Sequence, residues 1–217
     1  MKEGDMVLID YIGRADGEIF DLTLEDKAEE EDMEREDADY QPVPVLIGEE
    51  YVIEGLEEAL LDMEVGEERE LTIPKEKAYG DRNSDMVETY PEREFEKQGV
   101  QVRPGEEIMI GQQRGKVRSV NSGRVRVDFN HPLAGKELDY WVRVNEKVTS
   151  DEEIARRIYD YRIGHGDIEF DDGTVKIPES HSHGDHTHEL PEEARAQIRK
   201  EILDHTSLDE VEFVEKT

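Results

Sequence analysis

The sequence predicts an α+β protein: an antiparallel sheet around a short helix, a small β-rich insertion, and a small α+β C-terminal domain. Three observations carry this. Strand-like runs in the first half flank a single short helical period. The middle of the chain alternates apolar and charged residues between glycine turns. The last third reads helix, hairpin, helix, strand.

Met6 to Ile12 is apolar enough for a strand and leads into a turn between Gly13 and Gly17. After Ile19, Phe20 and Asp21 the chain is strongly acidic from Glu25 to Asp39, and is expected to be a solvated excursion. Strand character resumes over Pro42 to Ile47. Leu56, Ala59, Leu60 and Met63 then fall at i, i+3, i+4 and i+7, one face of a short helix that Gly66 stops. Glu70 to Ile73 is the next strand, ended by Pro74.

From Ser84 to Phe129 short strands are expected at Ile108 to Ile110, Gly115 to Val120 and Arg124 to Phe129. A further strand covers Leu138 to Val144 and holds the one tryptophan, Trp141. Ser150 and Glu153 have capping-box spacing ahead of Ile154, Ile158 and Tyr161, so a helix should start there and end at Gly164. Asp172-Gly173 between Ile168–Phe170 and Thr174–Ile177 signals a hairpin. A second helix begins near Pro191, with Ala194, Ile198 and Ile202 on one face, and Val211 to Val214 closes the chain as a strand.

Charge excludes whole classes of function. With 27 Lys and Arg against 58 Asp and Glu, the formal net charge is −31. Nucleic acid and anionic membrane surfaces are therefore not expected partners. The acidity spans every segment, which favours a salt-rich cytoplasm: at molar salt the Debye length is about 3 Å and self-repulsion is screened. The chain has no cysteine, and neither a signal-like apolar start nor a run of ~20 apolar residues. A soluble cytoplasmic protein is expected.

Two segments carry more than pattern. One is Gly48-Glu-Glu-Tyr-Val-Ile-Glu-Gly-Leu-Glu-Glu-Ala-Leu60, continuing through Met63-Glu-Val-Gly66 to Ile73-Pro-Lys-Glu-Lys-Ala-Tyr-Gly80. The other is Asn130-His-Pro-Leu-Ala-Gly-Lys136 with Leu138-Asp-Tyr-Trp-Val142. Over residues 1–148 the chain resembles the FKBP-type peptidyl-prolyl cis/trans isomerases, in their SlyD-like branch, and the helix-and-strand extension after 148 is similar to its long archaeal members. The resemblance implies an isomerase domain over 1–83 and 130–148, an inserted chaperone-like domain over 84–129, and a separate C-terminal domain over 149–217. It also implies a pocket. Tyr11, Asp21, Tyr79 and Ile53 take the catalytic positions, and Phe20, Val52, Leu56 and Tyr140 the substrate-binding ones. Leu56 stands where many members have tryptophan, which makes a shallower floor. Taken singly, the apolar members of this set read as core residues and Tyr11 and Tyr79 as surface tyrosines.

The insert implies a surface for unfolded chains, with Met86, Tyr90, Phe95 and Met109 as contacts, or simply a small core of its own. His181, His183, His186 and His188 crowd a polar stretch that either binds a divalent metal such as nickel or zinc, or is a solvated loop. His131 and His165 read as structural. The reaction itself requires no cofactor. Expected partners are unfolded or proline-containing polypeptides, with the C-terminal domain serving dimerisation or partner binding. The alternatives to an isomerase are a holdase with little isomerase activity and a metal-handling protein.

Overall fold

Strand β1 (Met6–Ala15) organises the first sheet. Asp16 and Gly17, both with positive φ, turn it into β2 (Glu18–Leu22), as a two-residue hairpin with right-handed strand twist requires. The computed structural model describes residues 1–33, 40–164, 167–183 and 186–214, with backbone alone for 181–183 and 186–188. Helix α1 (Glu25–Glu30) follows, inside the segment expected to be a solvated excursion. It forms because Ala28 is fully buried beside Ile12 and Leu22, with Leu24, Met33, Tyr40 and Trp141 packed around them. The six residues 34–39 lie outside the described set.

Strand β3 (Val43–Leu46) pairs antiparallel with β1, from Met6 opposite Leu46 to Ile9 opposite Val43. Helix α2 (Glu54–Leu61) carries the expected apolar stripe: Leu56 and Leu60 are buried, as is Met63 just beyond its end. The helix stops at Leu61, earlier than Gly66, which instead turns the chain at φ +85°. Strand β4 (Glu68–Ile73) comes next. The sheet is completed much later by β9 (Leu138–Val148), in the order β2-β1-β9-β4, with β3 on β1.

The segment between β4 and β9 builds a second sheet. Strand β5 (Val87–Pro91) leads to helix α3 (Glu92–Lys97), and β6 (Glu107–Ile110), β7 (Gln113–Asn121) and β8 (Arg124–Asp128) follow. Their order is β5-β8-β7-β6. Val117, Val125 and Val127 form the core of this sheet, with Tyr90, Phe95, Ile108 and Phe129 packed on it. Alternation puts Arg114, Lys116 and Arg118 on the other face of β7. Asp128 is buried at the end of β8, where it accepts hydrogen bonds from Asn130 and Arg118 Nε (2.8 Å) and pairs with Arg82. Burial works to raise its pKa, but these donors and the Arg82 charge outweigh it and hold the carboxyl down at about 2.

Strand β9 (Leu138–Val148) alternates cleanly: Leu138, Tyr140, Val142 and Val144 are buried, Asp139 and Arg143 exposed. Ser150 then caps helix α4 (Asp151–Ile163) by accepting from the Glu153 N–H, and Gly164 ends it at φ +105°. Strands β10 (Glu169–Asp171) and β11 (Thr174–Pro178) form the expected hairpin on Asp172-Gly173. The histidine-bearing stretch is a two-stranded ribbon, β12 (Ser180–His183) and β13 (His186–Glu189), with its turn outside the described residues. Helix α5 (Glu192–His205) packs on α4, and β14 (Glu210–Val214) runs parallel to β11.

The chain divides into two compact units: Met1–Arg14, Ile19–Leu71 and Asp139–Thr217 in one, Ala15–Glu18 and Thr72–Leu138 in the other. The C-terminal third thus groups with the first sheet, and α4 lies against β3. The junction is polar and aromatic. Tyr51 stacks on Tyr161 with ring centroids 3.8 Å apart, and its hydroxyl donates to Glu201 Oε2 at 3.1 Å. Glu201, 2% exposed, also takes Gln197 Nε2 (3.1 Å) and both Nε (3.2 Å) and Nη2 of Arg162. The Tyr161 hydroxyl donates to the Tyr51 carbonyl.

Two outcomes are expected. Arg162→Met leaves Glu201 buried without its cation and should lower the unfolding free energy by about 3 kcal/mol, whereas Arg162→Met with Glu201→Leu should recover most of that loss. Denaturant unfolding checks both. For Asp128 the folded pKa is depressed, so its contribution is complete above the unfolded value near ~4 and fades as pH falls toward 2. Between about pH 5 and 2 the stability gap between wild type and Asp128→Asn should narrow by about 2 kcal/mol.

Candidate functional site

In the first unit the hairpin β1–β2 and strand β9 gather three aromatic residues. Tyr11 on β1 and Phe20 on β2 each lie 5.9 Å, centroid to centroid, from Tyr140 on β9, tilted by 51° and near edge-on at 78°. Such tilted and edge-on pairs suit the ring quadrupoles and hold each side chain in one orientation. The Tyr11 hydroxyl donates to Asp21 Oδ2 at 2.6 Å, and Asp21 Oδ1 accepts from the Leu22 N–H at 3.0 Å. Behind them, buried Thr23 locks β1 to β2. Its hydroxyl accepts from the Tyr11 N–H at 3.0 Å and donates to Asp10, and its N–H donates to the Tyr11 carbonyl.

Gly13 shapes this cluster by what it lacks. A Cβ built there would stand 2.6 Å from Phe20 Cζ, so the ring occupies the space that any other residue would fill. Sequence reasoning read Gly13 only as a turn residue.

Val52 and Ile53 are half-buried on the approach to α2, and Leu56 is buried at 1% exposure in its first turn. Ile53 is the N-cap residue, in extended conformation, and its carbonyl accepts from the Leu56 and Glu57 N–H groups. Its own N–H has no acceptor among the described residues, as is usual for the donors at a helix start.

Tyr79 belongs to the second unit, after a short 3₁₀ turn (Lys75–Lys77). It is 37% exposed, and its ring stacks on His131 at 3.9 Å and 11°. Burial lowers the His131 pKa, which favours the neutral imidazole against the phenol ring. His131, expected to be merely structural, is therefore the residue that orients Tyr79. The signal for it was its place in the Asn130–Lys136 motif.

Of the expected contact residues in the insert, Met86 and Met109 are exposed at 40% and 61%. Tyr90 and Phe95 pack edge to face against the insert's own core. Both also line a cavity of about 410 Å³ with Val100, Ile108, Met109 and Ile110. The side chains of His181, His183, His186 and His188 lie outside the described residues.

Comparison with known proteins decides the family. The profile of FKBP-type peptidyl-prolyl cis-trans isomerases matches residues 1–96. A second, described as FKBP26, IF domain, matches residues 89–133. The short-type peptidyl-prolyl cis-trans isomerase of Methanocaldococcus jannaschii is 37% identical over 67% of this chain and 93% of its own length. The chain belongs to the FKBP-type peptidyl-prolyl cis-trans isomerases. The FKBP-type isomerase SlyD of Helicobacter pylori is 33% identical over 57% of this chain and 69% of its own. A 16 kDa FKBP-type isomerase of Escherichia coli is 29% identical over 49% and 74%. A third of this isomerase lies outside the match to the M. jannaschii relative.

Membership makes the chain an isomerase, and rotation about an X–Pro bond asks little chemistry of it. Amide resonance sets a barrier of about 18–20 kcal/mol, and no bond is made or broken. An apolar wall and a few fixed hydrogen-bond donors are sufficient equipment. The Phe20 ring is an apolar surface held by Tyr140 and by the space that Gly13 leaves. Gly13→Ala should displace it and lower kcat/KM on a proline peptide about tenfold, while costing only about 1–3 kcal/mol of stability. Peptide kinetics alongside denaturant unfolding checks this; an unchanged kcat/KM would show that the Phe20 position is immaterial.

Proposed function

We propose that this isomerase seats the substrate proline over Leu56, walled by Val52, Ile53, Phe20 and Tyr140, and donates to substrate carbonyls from the Ile53 N–H and the Tyr79 hydroxyl. The observation that carries the reading is the Tyr11–Phe20–Tyr140 aromatic cluster beside the Tyr11–Asp21 hydrogen bond. The planar amide has the larger dipole, so an apolar wall disfavours it relative to the twisted state. Fixed donors then favour the twisted geometry where water is excluded. Asp21 holds the Tyr11 ring at the pocket edge. No cofactor enters these steps.

The insert, over 84–129, captures unfolded proline-containing chains, so binding and turnover act on the same client. The cavity bordered by Tyr90, Phe95, Met109 and Ile110 supports this, because a flexible methionine beside aromatic rings suits varied apolar side chains. The full chain then corresponds to a long form of the family, working in a salt-rich cytoplasm, where X–Pro isomerisation otherwise delays folding by tens of seconds or more. Its C-terminal domain buttresses the Tyr51 segment next to Val52 and Ile53.

One backbone observation favours a second reading for the ribbon β12–β13. Its register sets His181 opposite His188 and His183 opposite His186, a spacing that suits imidazole ligation of nickel or zinc.

The test of the isomerase site is the exchange rate of a short X–Pro peptide, measured by NMR at low and molar salt. Wild type should accelerate exchange. Tyr79→Phe should reduce kcat/KM by about tenfold, the effect of one lost hydrogen bond. Asp21→Ala should reduce it by a smaller factor. Acceleration unaltered in both variants would place the site elsewhere.

A further inference from the structure

We propose that the outer face of the insert sheet holds a binding site for carboxylate side chains, which gives this isomerase a preference for proline segments with an acidic residue close by.

The site is a cavity of about 550 Å³ lying wholly within the second unit. Five cations line it: Arg82, Arg114, Lys116, Arg118 and Lys136. Only two acids, Glu107 and Asp128, share the lining, in a chain where acids outnumber cations 58 to 27. The sequence pattern sets this up. On β7 every second residue from Arg114 to Arg118 is basic, while Gly115 and Val117 between them are buried. The strand thus presents one cationic edge to solvent and one apolar edge to the core.

The two acids do not neutralise the cavity. Asp128 is shared by Arg82 and Arg118, so one negative charge answers two positive ones. Glu107 makes a 3.5 Å contact with Arg114, and both side chains are more than half exposed. Lys136 pairs with Asp16, itself largely exposed. Lys116 has no ion partner among the described residues. An incoming carboxylate therefore meets Lys116 free, Arg114 weakly held, and a guanidinium pair that carries a spare charge. Arginine can receive it with two parallel hydrogen bonds.

Why an acidic polypeptide, and not nucleic acid? Five cations gather in one concave patch, while the net charge of −31 repels a polyanion. Nucleic acids need an extended basic stripe, whereas one or two carboxylates fit a patch of this size. The cavity is also tied to the Tyr79 donor of the reading above. His131 lines it and stacks on Tyr79, the proposed donor to the substrate carbonyl. An extended chain advances about 3.3–3.6 Å per residue, so an acid within a few residues of a proline whose carbonyl meets the Tyr79 hydroxyl reaches this cavity.

The experiment measures binding directly, so it does not depend on turnover. Fluorescently labelled proline peptides with glutamate within three residues on either side of the proline are compared with their glutamine counterparts, against the full chain at low salt. At least one glutamate peptide should bind about five- to tenfold tighter than its glutamine counterpart, with the preference falling as salt is raised. Arg114→Gln with Lys116→Gln should reduce the preference below about twofold, and Arg114→Lys with Lys116→Arg should restore most of it. Both positions are exposed, and the unfolding midpoint confirms that the variants are folded. Equal binding of the glutamate and glutamine peptides overturns the proposal, as does a preference that survives in the double glutamine variant. Displacement of the peptide by an oligonucleotide of equal charge also overturns it, in favour of nucleic acid. A glutamate preference without any acceleration of exchange would instead sink the isomerase site and leave the carboxylate site standing.

Discussion

Every buried acid in this chain needs a cation, and cations are scarce. Among the described residues three carboxylates are buried: Asp5, Asp128 and Glu201. An unpaired carboxylate there would cost several kcal/mol. Each is answered by a basic residue from another part of the chain. Lys147 reaches Asp5 at 2.8 Å, Arg82 and Arg118 converge on Asp128, and Arg162 grips Glu201. These pairs sit where elements must meet: the chain start on the end of β9, the base of the insert sheet, and α5 on α4 beside Tyr51. With hydrophobic residues at 35%, the apolar cores are small, and the ion pairs define which surfaces face one another. The Asp5 carboxyl shows the balance. Burial alone would raise its pKa, yet Lys147 and the Lys2 N–H bring it below the ordinary value.

The aromatic cluster rests on a similar polar frame. Tyr11 and Thr23 exchange hydrogen bonds across β1 and the end of β2, and Asp10 ties Thr23 to Asn145 of β9 at 2.7 Å. Three strands are thereby held in one register, and a slip of one residue would turn each aromatic side chain to the opposite face. The positions of Tyr11, Phe20 and Tyr140 thus derive from part-buried hydrogen bonds behind them.

What was legible in the sequence was local. Ser150 and Glu153 announced α4, Asp172-Gly173 announced its hairpin, and the period of Leu56 and Leu60 announced α2, because cap, turn and stripe are each written within a few residues. What was not legible depends on distant partners. Helix α1 forms in an acidic run because Ala28 finds Ile12, Leu22 and Trp141, none of which its own neighbours reveal. The parallel pairing of β11 with β14 spans a ribbon and a helix. Tyr51 and Glu201 are 150 residues apart. The aromatic cluster itself was reachable only through resemblance, since no spacing rule links Tyr11 to Tyr140. The pairing of His131 with Tyr79 was hidden for the same reason: the two lie on either side of residues 84–129.

On the proposed reading, stability and function draw on one group at the start of α2. A capping box would place Ser or Thr at the N-cap and Glu or Gln at the third helical position, whose side chain reaches back to the N-cap N–H. Here those positions are Ile53 and Leu56, and the Ile53 side chain caps nothing. The omission costs about 0.5–2 kcal/mol in a helix of only eight residues. On the proposed reading it is required, because a glutamate at position 56 would occupy the Ile53 N–H and replace the apolar floor in one stroke. The helix start must then be held from outside, and Tyr51 supplies that hold two residues upstream, stacked on Tyr161 and bonded to Glu201. On that reading the C-terminal third stabilises a site that cannot cap its own helix without losing its donor.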